Sequence, residues 1–258
     1  MWFFETAAVA LTMFSAIPVK QPVWNEKNMR YALCAFPLVG LVCAVLWWAW
    51  LAVCRLLVLP DLLRAGGLCL LPVLVTGGIH LDGYADTCDA LASCAEPVKK
   101  RQILADPHCG AFAVIRLCTY FIAYFALCAA LPADGKTLAC MGLGFVLERA
   151  LSGFAVAAFP LAKDTGLAHT FATAADRRRV KYLLAGLTLL LSVLLLWRGG
   201  WTGAAVLLAQ MLALWRYYRV AMHQFGGISG DLAGWFLQKA ELWALAALVF
   251  GRTMEGFL

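Results

Sequence analysis

LCLLPVLV (residues 68–75) runs directly into TGGIHLDGYADTCDAL (residues 76–91), and this junction decides how the chain is organised. The first half has the apolar density of a membrane helix. The double glycine Gly77-Gly78 permits a turn, and carboxylates then arrive at Asp82, Asp86 and Asp89. Spacings of four and three residues put these three on one face of a helix, each about one 5.4 Å turn from the next. Like charges stacked in this way repel and weaken the helix unless something positive lies between them. A Mg²⁺ ion held by carboxylates and substrate phosphates meets that need. Asp106, in ADPHC (residues 105–109), adds a fourth oxygen ligand or a base within loop reach. The bland alternative is a solvated acidic helix start with Asp82 as its N-cap. A chain that places few charges anywhere and clusters four here argues instead for a metal–phosphate site.

Of 258 residues, 63% are hydrophobic and 14% charged, against roughly 25% charged in soluble domains, and the mean hydropathy is +0.80. Several apolar runs approach the ~20 residues that span a bilayer, and the short alternating segments of a β-barrel are absent. The expected fold is all-α: a single polytopic membrane domain over residues 1–258, a bundle of about six to seven transmembrane helices. Spans are expected near 31–54, 62–79, 111–131, 138–160, 183–197, 201–218 and 240–251, the last short enough to extend upstream. Residues 1–18, interrupted by Glu5 and ended by Pro18, lack a basic n-region and a small-residue cleavage site. They read as an interfacial or re-entrant helix.

The net charge is +6, an excess that in a membrane protein orients loops. With the central loop in the cytoplasm and the spans alternating, fourteen Lys and Arg residues fall on the cytoplasmic side. Only five, Arg55, Arg64, Lys136, Arg198 and Arg252, fall on the other. The same arrangement gathers every dense polar motif on one face, which predicts a cytoplasm-facing site in the inner membrane. The bilayer is the expected partner. No basic stripe with interleaved aromatics lies outside the apolar segments, so nucleic acid is excluded.

Three further stretches carry polar chemistry. PLAKDTGLA (160–168) ends a span with Lys163, which reads equally as a phosphate holder and as an ordinary anchor. Arg177, Arg178, Arg179 and Lys181 read as an anchor on anionic lipid. GGISGDLAGWFLQKAE (226–241) surrounds Asp231 with glycines that permit close approach, and puts Glu241 about three turns on, on roughly the same face. Arg149 lies in a span, where an ionisable group is costly without a partner or a wet cavity; Arg116 snorkels. Of ten cysteines, seven lie in apolar segments as small hydrophobes. Cys88, Cys94 and Cys109 lie near His80 and His108, but no CxxC pair is present and the spacings fit no standard zinc pattern. They read as free thiols in a reducing compartment.

These residues resemble the cobalamin synthase family, the adenosylcobinamide-GDP ribazoletransferases of bacteria and archaea. Thr76-Gly77-Gly78, His80-Leu81-Asp82-Gly83, Ala85-Asp86-Thr87 and Asp89-Ala90 are similar to its signature, TGGxHLDGxADxxDA. Asp106 with Gly110 and Phe112 is similar to its second motif. Gly226, Gly227, Gly230, Asp231, Gly234 and Glu241 look like its C-terminal one, and Pro18 and the Pro37–Gly40 pair fit its N-terminal region. The likeness covers essentially the whole chain. It departs at Ala113, where the family commonly has glycine, and at Trp235, where it commonly has a small residue.

The resemblance implies a Mg²⁺-dependent enzyme of late corrinoid assembly. It would join adenosylcobinamide-GDP to α-ribazole or its 5′-phosphate and release GMP, acting alone, as a homo-oligomer or with other corrinoid-assembly enzymes. Asp82, Asp86, Asp89 and Asp106 are then the expected metal ligands. Asp82, Asp86, Asp106 and His80 are the expected catalytic groups, and Gly77, Gly78, Arg149, Lys163, Gly230, Asp231 and Glu241 the expected substrate contacts. Two rivals share part of the pattern. A CDP-alcohol phosphotransferase would have an arginine after its DGxxA, where this chain has Asp86. A cation transporter would need acids near the bilayer midplane and two similar halves.

Overall fold

The computed structural model of the protein describes residues 2–20 and 22–256, so Met1 of the N-terminal stretch 1–18 lies outside the described residues. Among the described residues there is no strand, and helix dominates. A backbone in lipid must satisfy its own N–H and C=O groups, and a helix does so within one segment. The helices in chain order are α1 (Trp2–Phe14), α2 (Glu26–Met29), α3 (Ala32–Ala35), α4 (Pro37–Leu56), α5 (Asp61–Thr76) and α6 (Ile79–Ala92). They continue as α7 (Pro97–Ile103), α8 (Ala111–Ala130), α9 (Gly135–Ala158), α10 (Leu167–Ala174), α11 (Arg177–Val220) and α12 (Gly230–Glu255), with a π-helical turn at Ala221–Phe225 before the last.

Among the described residues, five helical segments are long and apolar enough to cross a membrane, and α5 with α6, bent by 94°, makes a sixth when the pair is counted as one span. The longest segment, Arg177–Phe225, holds two crossings. Gly200 leaves the helical region (φ 54°, ψ −131°), and a Cβ on Gly203 would overlap the Leu195 carbonyl oxygen. On a straight helix those residues would be about 12 Å apart, so the chain folds back at Gly200. The separate spans expected at 183–197 and 201–218 are its two arms, and the bundle has the expected six to seven crossings. Two boundaries differ from the sequence expectation. The span expected at 62–79 stops at Thr76, because Gly77 (φ 63°) and Gly78 (φ 81°) are both left-handed and turn the chain into α6. The last span begins at Gly230, well upstream of residue 240, where the Ser229 hydroxyl accepts a hydrogen bond from the Leu232 N–H at 3.2 Å and caps α12.

Burial sets the layers. In α9 and α12, 72% and 67% of the most apolar stretch is buried, against 22% in α8 and in the Arg177–Phe225 segment. The first pair therefore forms the centre and the others the lipid-facing shell. Gly40 lets α4 lie against the α9 backbone at Phe145 and Val146. At 13 residues, α1 is about 20 Å long, short of the ~30 Å hydrocarbon core. The chain beyond it is tied to the α5 break by a 2.8 Å bond from the Ala16 N–H to the Val75 carbonyl.

The two ends of the bundle differ in charge. At one, Arg55 donates to the Ala133 carbonyl and Arg252 to Asp134, while Lys136 meets Glu255 at 2.7 Å. Three of the five basic residues of the smaller set converge there. The larger basic set lies at the other end, and part of it has structural work. Arg177 donates to the Ala157 and Phe159 carbonyls at the end of α9 (3.0 and 3.3 Å), Arg30 pairs with Asp176 at 2.9 Å, and Arg179 donates to the Tyr31 hydroxyl. Besides the lipid anchoring expected of them, Arg177 and Arg179 therefore join neighbouring segments. The Gly40 contact gives a stability test. Gly40→Val places a side chain into the α9 backbone and should cost about 1–3 kcal/mol, read as a lowered thermal unfolding midpoint in detergent.

Candidate active site

The site is built where α6 crosses the start of α12. A Cβ on Gly83 would come within 2.7 Å of the Asp231 carbonyl oxygen, and one on Gly234 within 2.8 Å of the His80 carbonyl oxygen. No residue larger than glycine lets the two backbones approach this closely. Beyond the crossing, Lys239 of α12 lies over the Tyr84 ring at 5.5 Å, and Tyr84 packs on Tyr120 of α8 at 5.4 Å. The buried face of α6 is thereby fixed, and its period turns Asp82 and Asp86 outward to the same edge as Asp231.

Two loops clip together beside this crossing. The Ala162 N–H donates to the Ile228 carbonyl and the Ile228 N–H to the Pro160 carbonyl, each at 2.8 Å. Gly227 admits the backbone at Leu161. The clip brings Lys163 into the field of Asp231. Helix α7 holds the same loop from outside: Lys100 donates to the Gln224 side chain, and Arg101 to the Phe225 carbonyl at 3.0 Å.

Two cavities open at this place. One, of about 350 Å³, is lined by His80, Asp82, Gly83, Lys163, Gly230 and Asp231 together with apolar side chains that include Phe14, Phe36 and Phe171. The other is a shallower groove of about 550 Å³, lined by Gly77, Gly78, Asp82, Asp86, Pro107 and Cys109 among others. Ile79 and Asp82 belong to both. His80 is 6% exposed, with its ring edge-on to Phe36 and its Nε2 without a hydrogen-bond partner among the described residues.

The structure gathers Asp82, Asp86, Asp231, His80, Lys163, Gly77, Gly78 and Gly230 around these cavities and leaves four expected members elsewhere. Asp106 lies in the exposed loop before α8. Its carboxylate accepts from the His108 N–H at 2.9 Å and meets His108 Nδ1 at 2.7 Å, which holds it below the usual carboxylate range. Asp89 lies against Gly110, where its carboxylate occupies the space a Cβ would take. That position is the N-cap of α8, whose positive end favours an anion. The four aspartates therefore do not form one metal shell. Arg149 and Glu241 are 1% and 2% exposed, inside the bundle. Arg149 Nη1 donates to Glu148 Oε1 at 2.5 Å and to the Phe145 carbonyl at 3.0 Å, while Glu241 shares the field of both residues. They form a buried charge cluster and line neither cavity. Sequence reading missed Glu148, although an adjacent Glu-Arg pair inside a span was its signal. It also missed Phe14, Phe36 and Phe171, which no motif singles out.

The charge balance tests the fit to Mg²⁺. Asp86 lies in the field of Asp82, Asp89 and Asp231. Among the described residues no ion pair joins any of these four to a Lys or Arg. Nor do three His, Cys, Asp or Glu side chains enclose a metal by themselves among the described residues. A donor set of one or two carboxylates completed by substrate phosphates is how Mg²⁺ is usually held, and Asp82 and Asp86 in the shared groove fit it.

Comparison with known proteins identifies a family. The family model described as cobalamin-5-phosphate synthase matches residues 6–249. An adenosylcobinamide-GDP ribazoletransferase of Lachnoclostridium phytofermentans is 40% identical over 93% of this chain and 92% of its own length. Relatives of the same name from Ectopseudomonas mendocina and Desulfitobacterium hafniense are 35% and 33% identical, over 93% and 91% of this chain and 96% and 92% of theirs. No solved structure matches. The buried cluster supplies a test separate from activity. Arg149→Met leaves Glu148 without its partner, and breaking such a pair costs about 3–5 kcal/mol, so the unfolding midpoint in detergent should fall sharply. An unchanged midpoint would return Arg149 to a ligand-contact role.

Proposed function

The chain is a transferase of the cobalamin-5-phosphate synthase family, and from that premise we propose that it joins adenosylcobinamide-GDP to α-ribazole or its 5′-phosphate, releasing GMP. The observation that carries this reading is Asp82, which belongs to two different cavities at once. A transfer between two bound substrates needs a group at the seam between their sites, holding the reacting atoms in a near-attack geometry.

In the proposed reaction a ribose hydroxyl of the acceptor attacks the phosphorus on the corrinoid side of the pyrophosphate. A new P–O bond forms to that oxygen, the bridging P–O bond breaks, and GMP departs with the electron pair. Asp82, at the seam, accepts the hydroxyl proton as general base. Gly77 and Gly78 let the pyrophosphate approach the α6 backbone closely. Asp231 and Lys163 orient the acceptor from the other wall. Asp82 and Asp86 would hold Mg²⁺, which would supply positive charge to the phosphates and the departing GMP. His80, aromatic-packed and buried, shapes the wall between acceptor and bundle.

The charge difference between the two ends supports an orientation with this site in the cytoplasm, where the larger basic set belongs by the positive-inside rule, and a location in the cell inner membrane. The test is turnover by purified protein in nanodiscs, following GMP and the corrinoid product. Product should require Mg²⁺, disappear with EDTA, and fall by about a hundredfold or more in Asp82→Asn. Product formation that survives both EDTA and Asp82→Asn would overturn the reading.

A further inference from the structure

The two cavities that meet at Asp82 differ in kind, and resting on the transferase reading above, the difference assigns a substrate to each. The smaller cavity, about 350 Å³, is largely apolar and has an aromatic wall. Phe14 packs on Phe36 and on Phe171 with ring centroids 4.4 and 5.1 Å apart, and the His80 ring continues the wall 5.8 Å from Phe36. Its charged groups are few and separated in the sequence: Asp82 from α6, Asp231 from α12 and Lys163 from the clipped loop. The second space, about 550 Å³, has no such wall and opens along Gly77, Gly78 and Asp86.

Size excludes the corrinoid from the aromatic cavity, and the guanylyl end of the donor, itself a bicyclic base on a ribose, is told apart from the acceptor by the donor KM. A volume near 350 Å³ lies at the low end of the ~300–1,000 Å³ range of enclosed small-molecule sites. A bicyclic aromatic base on a ribose with one phosphate matches it, whereas a corrin ring with its amide side chains and axial nucleoside is several times too large. The rings of this wall are tilted to one another by 42°, 40° and 61°, and tilted or edge-on contacts suit a planar aromatic base as well as stacked ones. A carboxylate accepts hydrogen bonds from ribose hydroxyls, and an ammonium is the natural partner of a phosphate.

We infer that the aromatic cavity is the acceptor site and the glycine-lined groove the donor site. The acceptor's base packs against the aromatic wall at Phe14, behind which Phe36 and Phe171 are buried, and its ribose hydroxyls face Asp231 and Asp82. Its 5′-phosphate, when present, is held by Lys163. The donor lays its pyrophosphate and guanosine along the groove, with the corrinoid outside the bundle. Lys163 is thus the residue that makes the enzyme prefer a nucleotide acceptor over a nucleoside.

Steady-state kinetics on the full chain in detergent test this, with KM measured separately for adenosylcobinamide-GDP, α-ribazole and α-ribazole 5′-phosphate. Ala168→Trp fills the cavity and should raise the acceptor KM about tenfold while moving the donor KM by less than about twofold. A donor KM that rises as much or more overturns the assignment. Lys163→Gln should reduce the preference for the phosphorylated acceptor by about tenfold to a hundredfold, the loss of one charge-assisted bond. A parent enzyme without that preference, or a variant that keeps it, overturns the role of Lys163. Lys163 is exposed, so its variant reports even if Ala168→Trp does not fold. A parent enzyme that makes no product from any of these substrates overturns the transferase reading and the assignment with it, and is told apart by the parent's own inactivity.

Discussion

The close crossing of α6 over α12 is the contact on which the site depends. Gly83 and Gly234 bring two backbones together where any side chain would collide with the other chain. That approach fixes both the distance and the rotation of α6 against α12. A helix that cannot rotate keeps Asp82 and Asp86 on the edge beside Asp231. The left-handed pair Gly77-Gly78 performs the complementary task of ending the apolar run and turning the chain by 94°, so that the acidic helix does not continue along the axis of α5.

Charge pairing divides the ionisable groups into two kinds. Glu148 and Arg149 are buried and paired inside the bundle, with Glu241 in their field, as a low-dielectric interior requires. At the far end, Asp134, Lys136, Arg252 and Glu255 pair with one another. The aspartates at the α6–α12 crossing have no such ion pairs among the described residues, and they stand in one another's field. Lys163 offsets part of this field at Asp231, and the remaining repulsion points to a positive ligand or a charged substrate as a further partner.

Much of this arrangement could be read from the residues. The spacing of Asp82 and Asp86 put them on one face, and the apolar runs located the crossings, including the two arms that meet at Gly200. Where the structure places expected site residues away from the cavities, helical periodicity gives the face of a helix but not the depth along it. Glu241 is on roughly the same face as Asp231, yet ten residues carry it about 15 Å along the axis, into the buried middle of the bundle. Arg149 gave the signal of a costly intramembrane charge, and its neighbour Glu148 is the partner that satisfies it. Asp106 is near the other aspartates in sequence, but its loop turns the carboxylate to His108. The aromatic wall of Phe14, Phe36 and Phe171 comes from α1, the turn between α3 and α4, and α10, and no local pattern could have grouped them.

The central claim is that the approach of α6 to α12 sets the geometry of transfer. Activity of Gly83→Ala compared with Gly186→Ala tests it most directly, because a Cβ at Gly83 meets the Asp231 backbone whereas one at Gly186 meets open space. The account predicts that Gly83→Ala inserts in the membrane but loses about a hundredfold in turnover, the effect of displacing reacting groups by roughly an ångström, with Gly186→Ala at parental activity. Parental turnover in Gly83→Ala would contradict it.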